Sequence, residues 1–204
     1  MIYIVRHGET DWNAQEKIQG KICVSLNKKG REQAESIARH LKNIPIDAFY
    51  VSPLARALET ASIIAKYHPH AGFTKIPELK EQSFGDLEGK LIADIIHMHP
   101  AFDWEKALQY PDFHPGNGES LHDIHKRVSR FVKKILKTSK GRTIIIVSHA
   151  GTLRILIGAL LGIPIKDLAS IHLYNASLSL VEYSDIHGPT LHVSNYIAKE
   201  DYSV

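Results

Sequence analysis

Met1-Ile2-Tyr3-Ile4-Val5-Arg6-His7-Gly8-Glu9-Thr10 and, far downstream, Thr143-Ile144-Ile145-Ile146-Val147-Ser148-His149-Ala150-Gly151 share one order of residue types. Each is an apolar run of strand length that ends on a histidine and a glycine. Runs this apolar read as buried strands. In open α/β sheets, ligands bind at the carboxyl ends of the strands. Two histidines delivered to that edge, one flanked by Arg6, imply a phosphate site with a nucleophilic imidazole.

Outward from these two runs, strand and helix patterns alternate, which predicts a parallel sheet covered on both faces. Residues 29–42 read as an amphipathic helix with Ala34, Ile37, Ala38 and Leu41 on one stripe. A short strand at 47–51 precedes a helix that Pro53 opens and that runs through Tyr67. Further strands are expected at 73–76, 143–147, 177–183 and 190–197, and further helices at 119–138 and 151–161. The segment from about 87 to 118 differs. Pro100, Pro111 and Pro115 interrupt its helical pattern, and it ends on Gly116-Asn117-Gly118. It reads as a lid-like insertion covering a pocket. Phe84, Trp104, Tyr110 and Phe113 could line an apolar wall there, although simple packing is the commoner role for such aromatics. With no internal repeat and no low-complexity linker, residues 1–204 are expected to form a single domain.

The 204 residues are 44% hydrophobic and 23% charged with a net charge of +3, the composition of an ordinary soluble globular chain. No block of like charge stands out, so neither nucleic acid nor a membrane is an expected partner. Cys23 is the only cysteine and excludes an internal disulfide. The first strand begins without a charged leader, so no secretory signal is expected and a reducing cytoplasm is the default. A homodimer through an edge strand is compatible with this pattern. Thirteen histidines raise the question of a metal. His97 and His99 are two apart in a helical segment and do not face each other, and His122 and His125 lack further ligands at suitable spacing. No metal site or cofactor is expected.

Phosphoryl transfer needs an in-line nucleophile, cations over the equatorial oxygens and a proton for the leaving oxygen. His7 is the candidate nucleophile, since neutral imidazole attacks well near pH 7 and its phosphoramidate is labile. Arg6 and Arg56 can present forked donors, and the N–H groups of Gly8 and Ala150 are expected to approach oxygens closely. Across about 4 Å at an effective dielectric near 20, each unit charge contributes on the order of 4 kcal/mol. Two arginines and a charged His149 could therefore replace a magnesium ion. His149 also lies at an expected helix N-terminus, which favours anions.

Arg6-His7-Gly8-Glu9-Thr10-x-x-Asn13, Gln19-Gly20, Leu26-x-x-x-Gly30-x-x-Gln33-Ala34, Arg56-x-x-x-Thr60-Ala61, Glu81-x-x-Phe84-Gly85-x-x-Glu88-Gly89, Gly118-Glu119-Ser120 and Ser148-His149 occur in that order. This set resembles the histidine phosphatase superfamily over nearly the whole chain. The resemblance implies a three-layer α/β/α sandwich with a mixed, mostly parallel sheet. It implies that His7 becomes phosphorylated in a pocket formed by Arg6, Arg56 and His149. Glu81 matches the proton donor, which protonates the leaving alkoxide and then activates water. Asn13, Gln19 and Gly20 match residues lining the pocket. Cys23, Ser25 and Ala150 depart from common family residues without touching this set.

Superfamily mutases carry a paired arginine in the insertion and an asparagine two residues past the second histidine. Here the insertion contains only Lys90 and Lys106 as cations, and Gly151 stands at the asparagine position. A less cationic, more open pocket admits water to phosphohistidine. The expected activity is thus metal-independent hydrolysis of a small phosphate monoester. A cofactor-dependent phosphoglycerate mutase is the alternative, and a non-catalytic binding protein on the same fold is a third reading. Blander roles also exist for single residues. His7 alone could be structural, Glu81 a surface carboxylate, and Arg56 a solvated helix residue paired with Glu59. Glu9 and Thr10 could serve the turn, Ser120 could start a helix, and Arg127 and Arg154 could stand behind the site.

Overall fold

The structure, a computed structural model, describes residues 1–98, 110–184 and 186–198. Six strands form one sheet in the order β3-β2-β4-β1-β5-β6, with β1 Ile2–Arg6, β2 Ala48–Val51, β3 Gly72–Lys75, β4 Ile144–Ser148, β5 Ser177–Ser184 and β6 Gly188–Ile197. The pairs β3/β2, β2/β4 and β4/β1 are parallel, while β1/β5 and β5/β6 are antiparallel. The mixed, mostly parallel sheet that the family resemblance implies is what forms, with antiparallel pairs that the alternating pattern alone did not predict.

Side chains alternate across a strand, so each strand feeds two cores. Ile2, Ile4, Ile144 and Ile146 pack on one face against helices α5 (Leu121–Thr138) and α6 (Ala150–Leu161), through Ile124, Val128, Phe131, Leu153 and Leu156. Val5, Phe49, Val51, Ile145 and Val147 pack on the other face against α2 (Lys28–Leu41) and α3 (Ala55–Ala65), through Ile37, Ala38, Leu41, Ala57, Ala61 and Ile64. The result is three layers. All of β4 is buried, which is why its sequence is a continuous apolar run.

The helices differ from expectation mainly at their ends. Residue 53 does not open α3; Leu54, in an extended conformation, precedes its first residue. The chain instead bends at Pro53 and Leu54, and the Ser52 hydroxyl accepts from the Leu54 N–H. The expected continuation to Tyr67 is a tighter turn, with Tyr67 and His68 N–H donating to Ile64 and Ala65 carbonyls. Ser120, not Glu119, starts α5: its hydroxyl accepts from Asp123 N–H while the Asp123 carboxylate accepts from Ser120 N–H. A short helix, α1 (Asp11–Ala14), was not legible because four residues are too few to show a period; Thr10 and Asn13 close a capping box around it.

Within the 87–118 segment, α4 (Ile92–Met98) buries Ile95 against Ile18, with Phe84, Leu87 and Ile92 packed around them. Lys17 and Leu91 form an isolated β-bridge that ties this segment to the loop after α1. Pro100, Phe102, Trp104 and Lys106 lie outside the described residues. Tyr110 is 61% exposed, so it neither lines a wall nor packs.

The strand order places β1 beside β4 with Arg6 in register with Ser148. From β1 the chain leaves through α2 on one face, and from β4 through α6 on the other. A crevice opens at such a divergence. Its floor is tight: a Cβ on Gly30 would lie 2.0 Å from the Glu9 carbonyl oxygen, and one on Gly8 would lie 2.3 Å from the Gly30 oxygen. Backbone must move to admit either. Gly30→Ala is expected to cost about 1–3 kcal/mol, as overpacking does, and to lower the melting temperature by several degrees in thermal unfolding.

Candidate active site

His7 and His149 are the residues that directly follow β1 and β4, and the His7 N–H extends the ladder by donating to the Ser148 carbonyl at 3.0 Å. Parallel pairing thereby stands the imidazoles side by side, with ring centroids 5.1 Å apart at 60°. Both rings are almost wholly buried. His7 Nδ1 lies 2.7 Å from the Gly8 carbonyl oxygen, which can only accept, so Nδ1 carries the proton. The lone pair is left on Nε2. That nitrogen lies 3.2 Å from Arg56 Nε–H, which also lies 3.1 Å from His149 Nδ1. His149 must then carry its proton on Nε2, which donates to Ser52 Oγ at 2.7 Å.

Arg56 is 1% exposed, so the reading of a solvated arginine paired with Glu59 does not hold; Glu59 pairs with Arg31 instead. Burial lowers the Arg56 guanidinium to about 10, which keeps it charged at neutral pH. Its Nη2 and Nη1 donate to the carbonyls of Gly20 at 2.7 Å and Ile22 at 2.9 Å. Of its five N–H groups, three are committed in this way and to the imidazoles, and one on each Nη remains for a ligand. Gly20 adopts a positive φ of 50°, and a Cβ there would run into the Glu88 carboxylate.

Burial first, and then the positive charge of Arg56, pushes both imidazoles well below the ordinary histidine value. The expectation of a charged His149 is therefore corrected: burial beside Arg56 leaves both rings neutral at neutral pH. Fixed positive charge comes from arginine. Arg6 is half-buried, donates through Nη1 to the Leu173 carbonyl and leaves its buried Nε without a partner among the described residues. Gly8 also departs from expectation: its N–H donates to Thr60 Oγ1 at 3.1 Å and is not presented to the cavity.

Glu81 sits across from the imidazoles against the first turn of α6. His149 is the N-cap of that helix but makes no side-chain cap. The orphan N–H groups are met by the Glu81 carboxylate, with Thr152 N–H at 3.0 Å from Oε1 and Gly151 N–H at 3.3 Å from Oε2. Its backbone is braced by Arg127, which donates to the Glu81 and Glu78 carbonyls while pairing with Glu119.

These groups surround a cavity of about 320 Å³ lined by Arg6, His7, Asn13, Gln19, Gly20, Arg56, Glu81 and Ala150. His149 stands directly behind Arg56. Asn13 Oδ1 is held by Thr10 and Asn175, and Gln19 Oε1 is buried without a partner among the described residues. Ala150 lies in the first turn of α6, where N–H groups have no intrahelical acceptor. Phe84 lines the wall, one of the two roles the sequence allowed it, and Lys17, Gln82, Ile92 and Leu121, which the sequence did not single out, join it there from four separate parts of the chain. Arg154 also lines it. Glu9 holds Asn27 and Lys29, a role in the turn. Among the described residues no cluster of three or more His, Cys, Asp or Glu side chains has metal-binding spacing, and no helix is long and apolar enough to cross a membrane.

A paired-histidine crevice with buried arginine is the site of an enzyme acting on phosphate esters. The sequence profile of the histidine phosphatase superfamily (branch 1) matches residues 2–196. A metal-independent phosphoserine phosphatase of Arabidopsis thaliana is 36% identical over 90% of this chain and 76% of its own length. A probable phosphoglycerate mutase of Cronobacter sakazakii is 32% identical over 89% of this chain and 84% of its own. The solved structure of a mycobacterial glucosyl-3-phosphoglycerate phosphatase in complex with VO3 superposes with a TM-score of 0.87, at 25% identity over 95% and 98% of the two chains. The chain belongs to the histidine phosphatase superfamily and is, by class, a phosphoric monoester hydrolase.

Both imidazoles are held neutral in the fold but titrate near 6.5 when unfolded. Below that value the unfolded chain binds more protons, so stability is complete above about pH 6.5 and falls as pH drops through it. The limiting slope is about 1.4 kcal/mol per pH unit for each ring. Urea unfolding midpoints at pH 7.5 and 5.5 should differ less in His149→Asn than in the parent.

Proposed function

We propose that the protein hydrolyses a small phosphate monoester through a phosphohistidine on His7, without a metal ion. The observation that carries this reading is the tautomer of His7: Nδ1 is tied to the Gly8 carbonyl, and the nucleophilic lone pair on Nε2 faces the buried Arg56. An incoming phosphate dianion displaces the Arg56 Nε–H from Nε2. Arg6 and the uncommitted Arg56 donors then take the equatorial oxygens, with Gln19, Asn13 and the Ala150 N–H around them. Nε2 attacks phosphorus, the ester P–O bond breaks, and protonated Glu81 gives its proton to the leaving oxygen. In the second half, water attacks the phosphohistidine, its proton returns to Glu81, the P–N bond breaks and inorganic phosphate leaves. The negative charge of the bound phosphoryl group offsets the arginines, so His149 can take a proton at that stage.

The cavity volume suits a metabolite rather than a protein surface. Ile92, in the described part of the 87–118 segment, stands on its wall. Hydrolysis is favoured over transfer back to substrate because Gly151, rather than asparagine, follows His149 by two residues, and no arginine comes from the insertion. The probable mutase among the relatives keeps a phosphoglycerate mutase as the rival reading.

Rapid quench with a radiolabelled monoester should yield an acid-labile adduct that His7→Ala abolishes, together with a fall in turnover of about a thousandfold or more. Absence of that adduct in the parent protein overturns the mechanism. Activity should survive EDTA treatment unchanged. Phosphoglycerate supplied with its bisphosphate primer should release mainly inorganic phosphate; isomer as the main product would establish the mutase reading instead.

A further inference from the structure

Thr152 is fully buried in the first turn of α6, yet its hydroxyl touches two acceptors. Oγ1 lies 2.7 Å from the Lys80 carbonyl oxygen and 3.2 Å from Glu81 Oε1. A hydroxyl has one proton and can donate fully to only one of them. The two carboxyl oxygens of Glu81 are also unequal. Oε1 collects the Gln82 N–H at 2.9 Å, the Thr152 N–H at 3.0 Å and the Thr152 hydroxyl, whereas among the described residues Oε2 meets only the Gly151 N–H at 3.3 Å. A Cβ on residue 151 would lie 2.9 Å from Oε1, so glycine there lets the carboxyl seat against the helix end.

We propose that Thr152 is a positioning residue for proton transfer by Glu81, its hydroxyl swinging between the Lys80 carbonyl and Oε1 as the carboxyl loses and regains its proton on Oε2. This rests on the reading of Glu81 as proton donor. Oε2 is the less occupied oxygen and carries the transferable proton, while Oε1 stays anchored. With Glu81 protonated, Oε1 is an ordinary carbonyl acceptor and the hydroxyl donates to the closer Lys80 oxygen. With Glu81 ionised, Oε1 bears charge, and a hydrogen bond to an ionised acceptor is roughly twice as strong as a neutral one. The hydroxyl then turns to Oε1. The two protonation states differ in which acceptor takes the hydroxyl proton, and neither requires the carboxyl to move. The charged groups that face Glu81 are Arg6, Arg56 and Arg154 through space and Arg127 at its carbonyl, with His7 and His149 across the cavity. Arg56, lowered to about 10, keeps its charge across neutral pH, and both imidazoles are neutral there, so neither reproduces this switch.

Removing the hydroxyl takes a donor from the ionised form and favours the protonated one. The test is the pH profile of kcat/KM for Thr152→Val and Thr152→Ser on two esters. Glycerol phosphate has a leaving oxygen that needs a proton, and p-nitrophenyl phosphate has one that does not. With glycerol phosphate, Thr152→Val should move the alkaline limb up by about half to one pH unit. Thr152→Ser should keep the parent profile, and the p-nitrophenyl phosphate limb should not follow the shift. An unmoved limb, an equal shift with both esters, or a serine variant that behaves like valine overturns the proposal. Glu81→Gln separates the two levels. If it hydrolyses glycerol phosphate like the parent, the reading of Glu81 fails; if it is inactive while the valine limb stays in place, only the role of Thr152 fails.

Discussion

One buried guanidinium holds the site together. Arg56 projects from the start of α3 into the crevice between β1 and β4 and is satisfied there by the carbonyls of Gly20 and Ile22 and by two imidazole lone pairs. A buried cation without a carboxylate partner is costly, and four acceptors at hydrogen-bond distance offset that cost. The arrangement has consequences in both directions. The loop after α1 is drawn over the crevice because its carbonyls are needed by Arg56. Both histidines are held neutral by burial and then by its charge, and their ring nitrogens are assigned because each must accept from it.

The opposite wall depends on a helix end. The N-terminus of α6 offers orphan N–H groups and a partial positive charge, and its own N-cap residue, His149, is turned toward Ser52 and Arg56. Glu81, from a different part of the chain, fills that place. An acidic group is thus kept within reach of the imidazoles without lying against the guanidinium that they share. The separation matters for a reaction in which a nucleophile must stay unprotonated while a neighbouring carboxyl gives and takes a proton.

Much of the scaffold was legible. The runs 2–5 and 143–147 could only be buried strands, the stripes of α2 and α5 could only face a core, and the histidines had to emerge where the strands stop. What escaped were features without periodicity or with more than one partner. The four-residue α1 is too short to show an apolar pattern, and Pro53 looked like a helix opener although it lies in the bend that precedes the helix. Gly8 was expected to present its N–H to the substrate, but Thr60 takes that donor. His149 was expected to be charged, a judgement that depends on how deeply the ring is buried and on where Arg56 lies, neither of which a sequence states.

By itself the sequence determined the α/β class, the strands and helices and the chemical types gathered at the strand ends, because these follow from local apolar period and from residue identity. The tertiary structure decided which strand lies beside which, and so how His7 and His149, placed in one pocket by the family resemblance, face each other. It also decided which atoms carry protons and which donors remain for a ligand. Those outcomes arise from burial and from contacts between residues tens of positions apart, and neither is encoded in any one stretch of the chain.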